Sequence, residues 1–150
     1  MNLSNGIKTV RVKADGTNYT AAAGLTAVTS EVIDTGGYEG VRLMVGFGAI
    51  VAGAVTSVKV QQCDTSGGTY ADLLGSSITV ADTDDNKVAV IDICRPQERY
   101  LKVVTSRVTQ NATVDFMTAE LYGTRKEATT DDTATVLSRK IHASPAEGTA

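Results

Sequence analysis

Two runs of alternating aliphatic residues, separated by three small ones, constrain this chain more than any other feature. The first reads Val41-Arg42-Leu43-Met44-Val45-Gly46-Phe47-Gly48-Ala49-Ile50 and the second Ala54-Val55-Thr56-Ser57-Val58-Lys59-Val60-Gln61-Gln62-Cys63, with Val51-Ala52-Gly53 between them. Val41, Leu43, Val45, Phe47 and Ala49 share a face in the first run, and Thr56, Val58, Val60 and Gln62 share one in the second. A period of two belongs to strands with one buried face, and two such runs across a short glycine-containing connection predict a β-hairpin. Each of the large aliphatic side chains contributes roughly 1.5–3 kcal/mol if fully buried. A slip of one residue would turn the whole set to water, so the register must be firmly fixed.

Shorter runs flank this pair. Ile7, Val10 and Val12 suit a short strand before the turn Asp15-Gly16, whereas Thr20 to Leu25 is too short and too glycine-flanked for a helix. Beyond Cys63, the stretches Tyr70 to Leu74 and Ser77 to Ala81 read as two short strands around Gly75. Lys87 to Cys94 is apolar on both sides, with Val88, Val90 and Cys94 opposite Ala89, Ile91 and Ile93, which predicts an interior strand. After the corner Arg95-Pro96-Gln97-Glu98 come Tyr100 to Val108 and Ala112 to Tyr122, the latter with Val114 and Phe116 on one face and Met117, Ala119 and Leu121 on the other. Many short strands punctuated by Gly, Asp and Asn predict an all-β fold, a β-sandwich or jelly-roll-like barrel with extended N- and C-terminal arms. The expected division is an N-terminal arm and first strand over 1–30, a core over 31–123 and a C-terminal arm over 124–150. In that last arm Val136, Leu137 and Ile141 form the one apolar cluster, and Ser144 to Ala150 cannot bury enough to order itself. The arm is expected to be disordered alone and to order on a neighbouring subunit.

Composition narrows what such a body does. The 150 residues are 42% hydrophobic with no Trp and two Phe, so a single domain with a thin aliphatic core is expected. Net charge is −3, with +2 on residues 1–30, −5 on 31–123 and zero on 124–150. A mildly acidic body argues against a nucleic-acid-binding face. No stretch approaches the roughly 20 apolar residues of a membrane span, and no apolar leader region is seen, so a protein made and used without translocation is expected. In that setting Cys63 and Cys94 are expected as buried free thiols, although a disulfide between them is geometrically conceivable.

Little here points to catalysis, and neither an enzyme nor a cofactor is expected. The lone histidine, His142, lies in the C-terminal arm, badly placed to activate a Ser or Cys nucleophile. Asp82, Asp84 and Asn86 copy the first three ligand positions of an EF-hand loop, but Lys87 replaces the required glycine and the bidentate Glu is missing. A solvated turn is expected there, with a weak cation site at a subunit contact as the alternative. Gly46-Phe47-Gly48 lies inside a strand and lacks the third glycine of a dinucleotide fingerprint, which leaves a twisted or bulged strand. Asn18-Tyr19-Thr20 and Asn111-Ala112-Thr113 match the glycosylation sequon, without consequence in a chain that is not secreted. Arg95, Arg99, Lys102 and Arg107 cluster along one corner and strand. They suit either an exposed face partly paired with Glu98 and Asp92, or a contact between subunits where arginine forks meet carboxylates. With Val136, Leu137 and Ile141 they make up the candidate interface.

The stretch Val32-Ile33-Asp34-Thr35-Gly36-Gly37-Tyr38-Glu39-Gly40-Val41, with Gly46-Phe47-Gly48-Ala49-Ile50, Val58-Lys59-Val60-Gln61-Gln62, Ala81-Asp82-Thr83-Asp84-Asp85-Asn86-Lys87 and Arg95-Pro96-Gln97-Glu98-Arg99-Tyr100-Leu101, resembles small structural proteins of tailed-bacteriophage virion modules. The terminal Ser144 to Ala150 is similar as well. The resemblance implies a capsid decoration (cement) protein bound to the outside of an expanded shell in a virion assembled in the bacterial cytoplasm. Its implied partners are the major capsid protein and further copies of itself, as a trimer, with neither nucleic acid nor membrane involved. A head–tail connector, tail-tube or fibre-base component is the alternative within the same setting. From a different class, a carbohydrate-binding β-sandwich module is the other; such modules display aromatic platforms, and this chain has five Tyr and no Trp.

Overall fold

In the computed structural model, which describes residues 3–12, 14, 22–124 and 130–141, the two alternating runs become strands but do not pair with each other. The strands are β1 (Ile7–Arg11), β2 (Ala22–Gly24), β3 (Val28–Thr29), β4 (Ile33–Asp34), β5 (Gly40–Ile50), β6 (Val55–Cys63), β7 (Ala71–Asp72), β8 (Ile78–Val80), β9 (Val88–Cys94), β10 (Tyr100–Val108) and β11 (Ala112–Tyr122). One sheet runs β1-β11-β5-β9, with β2 also on β11; the other runs β3-β10-β6-β7, with β4 also on β10 and β8 on β6. The predicted hairpin is therefore an arch, whose two arms belong to opposite sheets and face each other across the core. Alternation alone does not separate the two arrangements, because each gives both strands one buried stripe. What makes the arch is a turn in which Ala54 N–H donates to Val51 O at 3.0 Å, with Gly53 at φ 84°. Side chains of the acidic loop then meet the backbone groups the turn leaves open: Asp85 Oδ1 accepts from Ile50 N–H at 2.6 Å and Asp82 Oδ2 from Gly53 N–H at 2.8 Å.

Between the sheets lie Val41, Leu43, Val45 and Phe47 of β5, Val58 and Val60 of β6, Leu101 and Val103 of β10, and Val114, Met117, Ala119 and Leu121 of β11, all buried. The faces of β11 differ from the expected ones. Its register with β5 shifts on either side of Val114, with Ala112 opposite Ile50, Val114 opposite Phe47 and Phe116 opposite Gly46. Asp115 is thus an extra residue on β11, and one of the pair Gly48 and Ala49 is an extra residue on β5. These two bulges cancel along the ladder. They place Val114 inside with Met117, turn Phe116 outward, expose Ala49 and bury Ile50.

Three further expectations change. Among the described residues β9 pairs with β5 alone and is an edge strand, not an interior one. Ala89, Ile91 and Ile93 pack on the core, whereas Val88 and Val90 are 48% and 43% exposed. Cys63 is buried but Cys94 is exposed, and both are free thiols. The described residues among the first 30 supply β1 and β2 to one sheet and β3 to the other, so these strands belong to the body.

The described part of the C-terminal segment lies along β1 of its own chain. Thr9 N–H donates to Asp131 Oδ1 at 3.0 Å and Arg11 N–H to Thr135 Oγ1 at 3.1 Å. Arg139 donates to Ser4 O, to Ile7 O and to Asp131. Polar capping rather than apolar burial holds this segment, which is why a search for hydrophobic anchors reads it as unordered. His142, Ser144 to Ala150 and the Asn18-Tyr19-Thr20 sequon lie outside the described residues.

Candidate interaction surface

Cross-strand rows build the outer face of the first sheet. The register sets Ile7, Tyr122, Gly40 and Cys94 in one row and Thr9, Glu120, Arg42 and Asp92 in the next. A third row holds Arg11, Thr118, Met44 and Val90, and Phe116, Gly46 and Val88 follow. Aromatic rings occupy the space above Gly40 and Gly46 on this face. A Cβ on Gly40 would fall 2.4 Å from Tyr122 Cζ, and one on Gly46 would fall 2.1 Å from Phe116 Cε1. The second row is charged, with Arg42 Nη1 3.5 Å from Glu120 Oε2. Tyr122 Oη donates to Asp92 Oδ1 at 2.6 Å, and that hydrogen bond, reinforced by burial and the nearby carboxylate, pushes the phenol up to about 12.

Over the Gly40 end of this face opens a hollow of about 770 Å³, lined mainly by the apolar parts of Leu3, Ile7 and Tyr122 with Arg42, Asp92 and Glu120 at its charged side. Leu3, 73% exposed, stands at its rim, and Val88 and Val90 continue the apolar surface along β9. Sequence reasoning missed this face. The signal was present in the two-sided apolar pattern of Lys87 to Cys94, which fits burial on both faces equally well.

The candidate interface residues scatter. Arg99 forks onto Asp34 with Nε and Nη2 each 2.8 Å from a carboxylate oxygen, and this holds the Asp34 carboxyl below the usual carboxylate range. The same guanidinium lies 5.1 Å from the Tyr100 ring centroid, and Lys102 Nζ lies 4.9 Å from that of Tyr70. Arg99 and Lys102 thus come together on the outer face of the second sheet. Arg95 sits at the exposed corner between β9 and β10, at φ 52°, with its N–H donating to Glu39 O at 2.7 Å. Arg107 points inward and is 5% exposed. Its Nε donates to Thr26 O at 2.8 Å and its Nη1 to Ala22 O and Ala112 O at 2.9 Å, so it ties β2 and the bend after it to the body. In the C-terminal segment Val136 is half-buried, while Leu137 and Ile141 face solvent.

The acidic loop spends its carboxylates on structure. Besides the two bonds to the arch, Asp84 Oδ2 accepts from Ala81 N–H at 2.9 Å and Asp84 Oδ1 pairs with Lys87 Nζ at 2.6 Å. Lys87 brings a positive charge to the position where a calcium loop needs glycine, and no cluster of metal-ligating side chains occurs among the described residues.

No family model matches the chain, and no curated protein does. Among solved structures it is similar to the Clostridium thermocellum N-terminal endo-1,4-β-D-xylanase 10B CBM22-1–GH10 modules, complexed with xylohexaose, with a TM-score of 0.51 and 13% identity. The likeness covers 86% of this chain and 28% of that one. The fold is a β-sandwich. At this identity the likeness extends to the fold and no further.

Proposed function

We propose that this protein is a virion structural protein that decorates the outer face of a bacteriophage head, bridging capsomers and stabilising the shell. The observation that carries the reading is the outer face of the first sheet, where a wide hollow beside Leu3 and Ile7 opens at one end and Val88 and Val90 stand exposed further along β9, with the charged row of Arg42, Glu120 and Asp92 between them. Such a surface suits contact with a large, flat partner better than capture of a small molecule. The sequence resemblance over residues 30–123 supports the same reading. Many modest contacts on a repeating lattice add up to firm attachment through effective concentration. The partners are the major capsid protein and other copies of this chain as a trimer, and the protein turns over no substrate. Purified protein mixed with expanded shells that lack it is expected to bind saturably and to raise the temperature at which the shells break. Leu3→Asp with Val88→Asp should reduce occupancy while leaving the body folded. Protein that stays in the supernatant with intact shells overturns the reading, and rings of six or twelve copies in negative-stain images would favour a connector or tail-tube role instead.

A carbohydrate-binding role is the second reading, favoured by the sandwich it shares with the xylanase modules. Weighing against it, the rings of Tyr70 and Tyr100 on the second sheet lie under Lys102 and Arg99, so the surfaces on which a sugar would stack are occupied. Titration with xylohexaose and a glycan array separate the two readings, since micromolar binding would favour the second.

A further inference from the structure

Sheet edges collect unpaired backbone groups, and folded proteins blunt them to prevent unwanted pairing. Here β2, β3, β4, β7 and β8 are only two or three residues long. The β1 edge is covered by the chain's own Asp131 and Thr135, which accept from Thr9 N–H and Arg11 N–H. β9 is different. It runs seven residues, Val-Ala-Val-Ile-Asp-Ile-Cys, with no Lys and no Pro, and nothing pairs with its far side among the described residues. Phe47 N–H donates to Lys87 O at 2.9 Å and Arg95 N–H to Glu39 O at 2.7 Å, which fixes the phase of the β5–β9 ladder. Hydrogen-bonded pairs alternate in an antiparallel ladder. Ala89, Ile91 and Ile93 therefore bond to β5, and Val88, Val90, Asp92 and Cys94 turn their N–H and C=O groups to the open side.

We propose that this edge pairs with β9 of a second copy, antiparallel about a twofold axis at Ile91, so that the first sheet runs continuously through both molecules. The strand is self-complementary in that register. All seven residues align, and the pairs Val88 with Cys94 and Val90 with Asp92 are the hydrogen-bonded ones, matching the groups left open. The core-facing stripe also continues, with Ile91 opposite Ile91 and Ala89 opposite Ile93. Charge selects this alignment as well. Asp92 is the single charged residue of the strand, and an axis at Asp92 would set two carboxylates face to face, whereas the axis at Ile91 sets each against a valine, beside its own cross-strand Arg42. The contact is isologous and closes after two copies, so the free assembly has an even copy number: two, or, where the threefold contact of the shell reading acts elsewhere on the body, six as a pair of trimers and not a ring. The inference goes beyond the shell reading and is tested on the free protein, so failure of either leaves the other standing.

Sedimentation equilibrium of the full chain at micromolar concentration is expected to give an even-numbered species. Val90→Glu sets a carboxylate directly against the second copy's Asp92 in this register and should halve that mass while circular dichroism stays unchanged. Val88→Cys adds a positive test. It sits across from the native Cys94 at about 5.5 Å between Cα atoms, within disulfide range, so mild oxidation should give a covalent dimer that reduction reverses. A monomer or trimer as the free species overturns the pairing and leaves the edge for a strand of another polypeptide. An even-numbered species that Val90→Glu leaves intact, and that Val88→Cys fails to cross-link, overturns it equally, because the contact would then lie elsewhere.

Discussion

Thr105 lies fully buried between the sheets, and its hydroxyl has no hydrogen-bond partner among the described residues; the same holds for Thr56 on the neighbouring strand β6. A buried hydroxyl without a partner costs desolvation energy that nothing offsets. Thr105→Val keeps the shape and removes the polar atom, so it is expected to stabilise the fold by about 1 kcal/mol, read as a higher urea midpoint with unchanged slope. Tyr122 makes stability depend on pH. Its phenol is raised from 10.0 to about 12 by the bond to Asp92. The folded state therefore holds the proton more tightly than the unfolded one, and the stability this brings is complete below pH 10 and lost as pH climbs from 10 towards 12. Comparison of urea midpoints for the native chain and Tyr122→Phe should show a gap at pH 8 that narrows above pH 10, while absorbance near 295 nm shows a late tyrosine ionisation in the native chain that Tyr122→Phe removes. A gap that stays constant through pH 11.5 would remove Asp92 as the cause.

Among the elements, the β5–β11 pair is the most informative. Gly46 and Phe116 are opposite each other, and a side chain at 46 would have to displace the ring, since even a Cβ would meet Phe116 Cδ1 at 2.5 Å. Gly46→Val is expected to destabilise by about 1–3 kcal/mol through overpacking, and pairing it with Phe116→Ala should recover part of that loss in chemical denaturation. Additive losses would mean that the two positions do not interact. The same pair shows how far the sequence could be read. Strand positions follow from period two, and β6, β10 and β11 begin and end within a residue of the expected bounds. Which strand lies beside which does not follow, because an alternating stripe is equally satisfied by a neighbour in its own sheet and by one across the core. The bulge at Asp115 was equally hidden, since one inserted residue reverses the faces without changing composition. For the same reason the open outer face of β9 read as buried, and Arg107 read as an exposed contact although its guanidinium binds backbone carbonyls inside the fold.

The whole molecule is asymmetric at its edges: the first sheet is closed at β1 by the chain's own C-terminal segment and open at β9. An object with one open edge stops growing once that edge has paired, whereas one with two open edges can continue indefinitely. The segment around Asp131 and Thr135 is thus predicted to limit assembly as well as to cover backbone. Asp131→Ala with Thr135→Ala removes both acceptors from Thr9 N–H and Arg11 N–H while leaving the core residues untouched. The variant is expected to keep its strand content but to form particles whose size grows with concentration in light scattering, seen as open chains by electron microscopy. Adding Val90→Glu to it closes the β9 side by setting carboxylates against each other across the axis, leaves β1 alone available, and should return growth to pairs. A double variant that keeps the native size at every concentration would show that the C-terminal segment packs on β1 without guarding it, and that the limit on assembly lies in some other part of the sandwich.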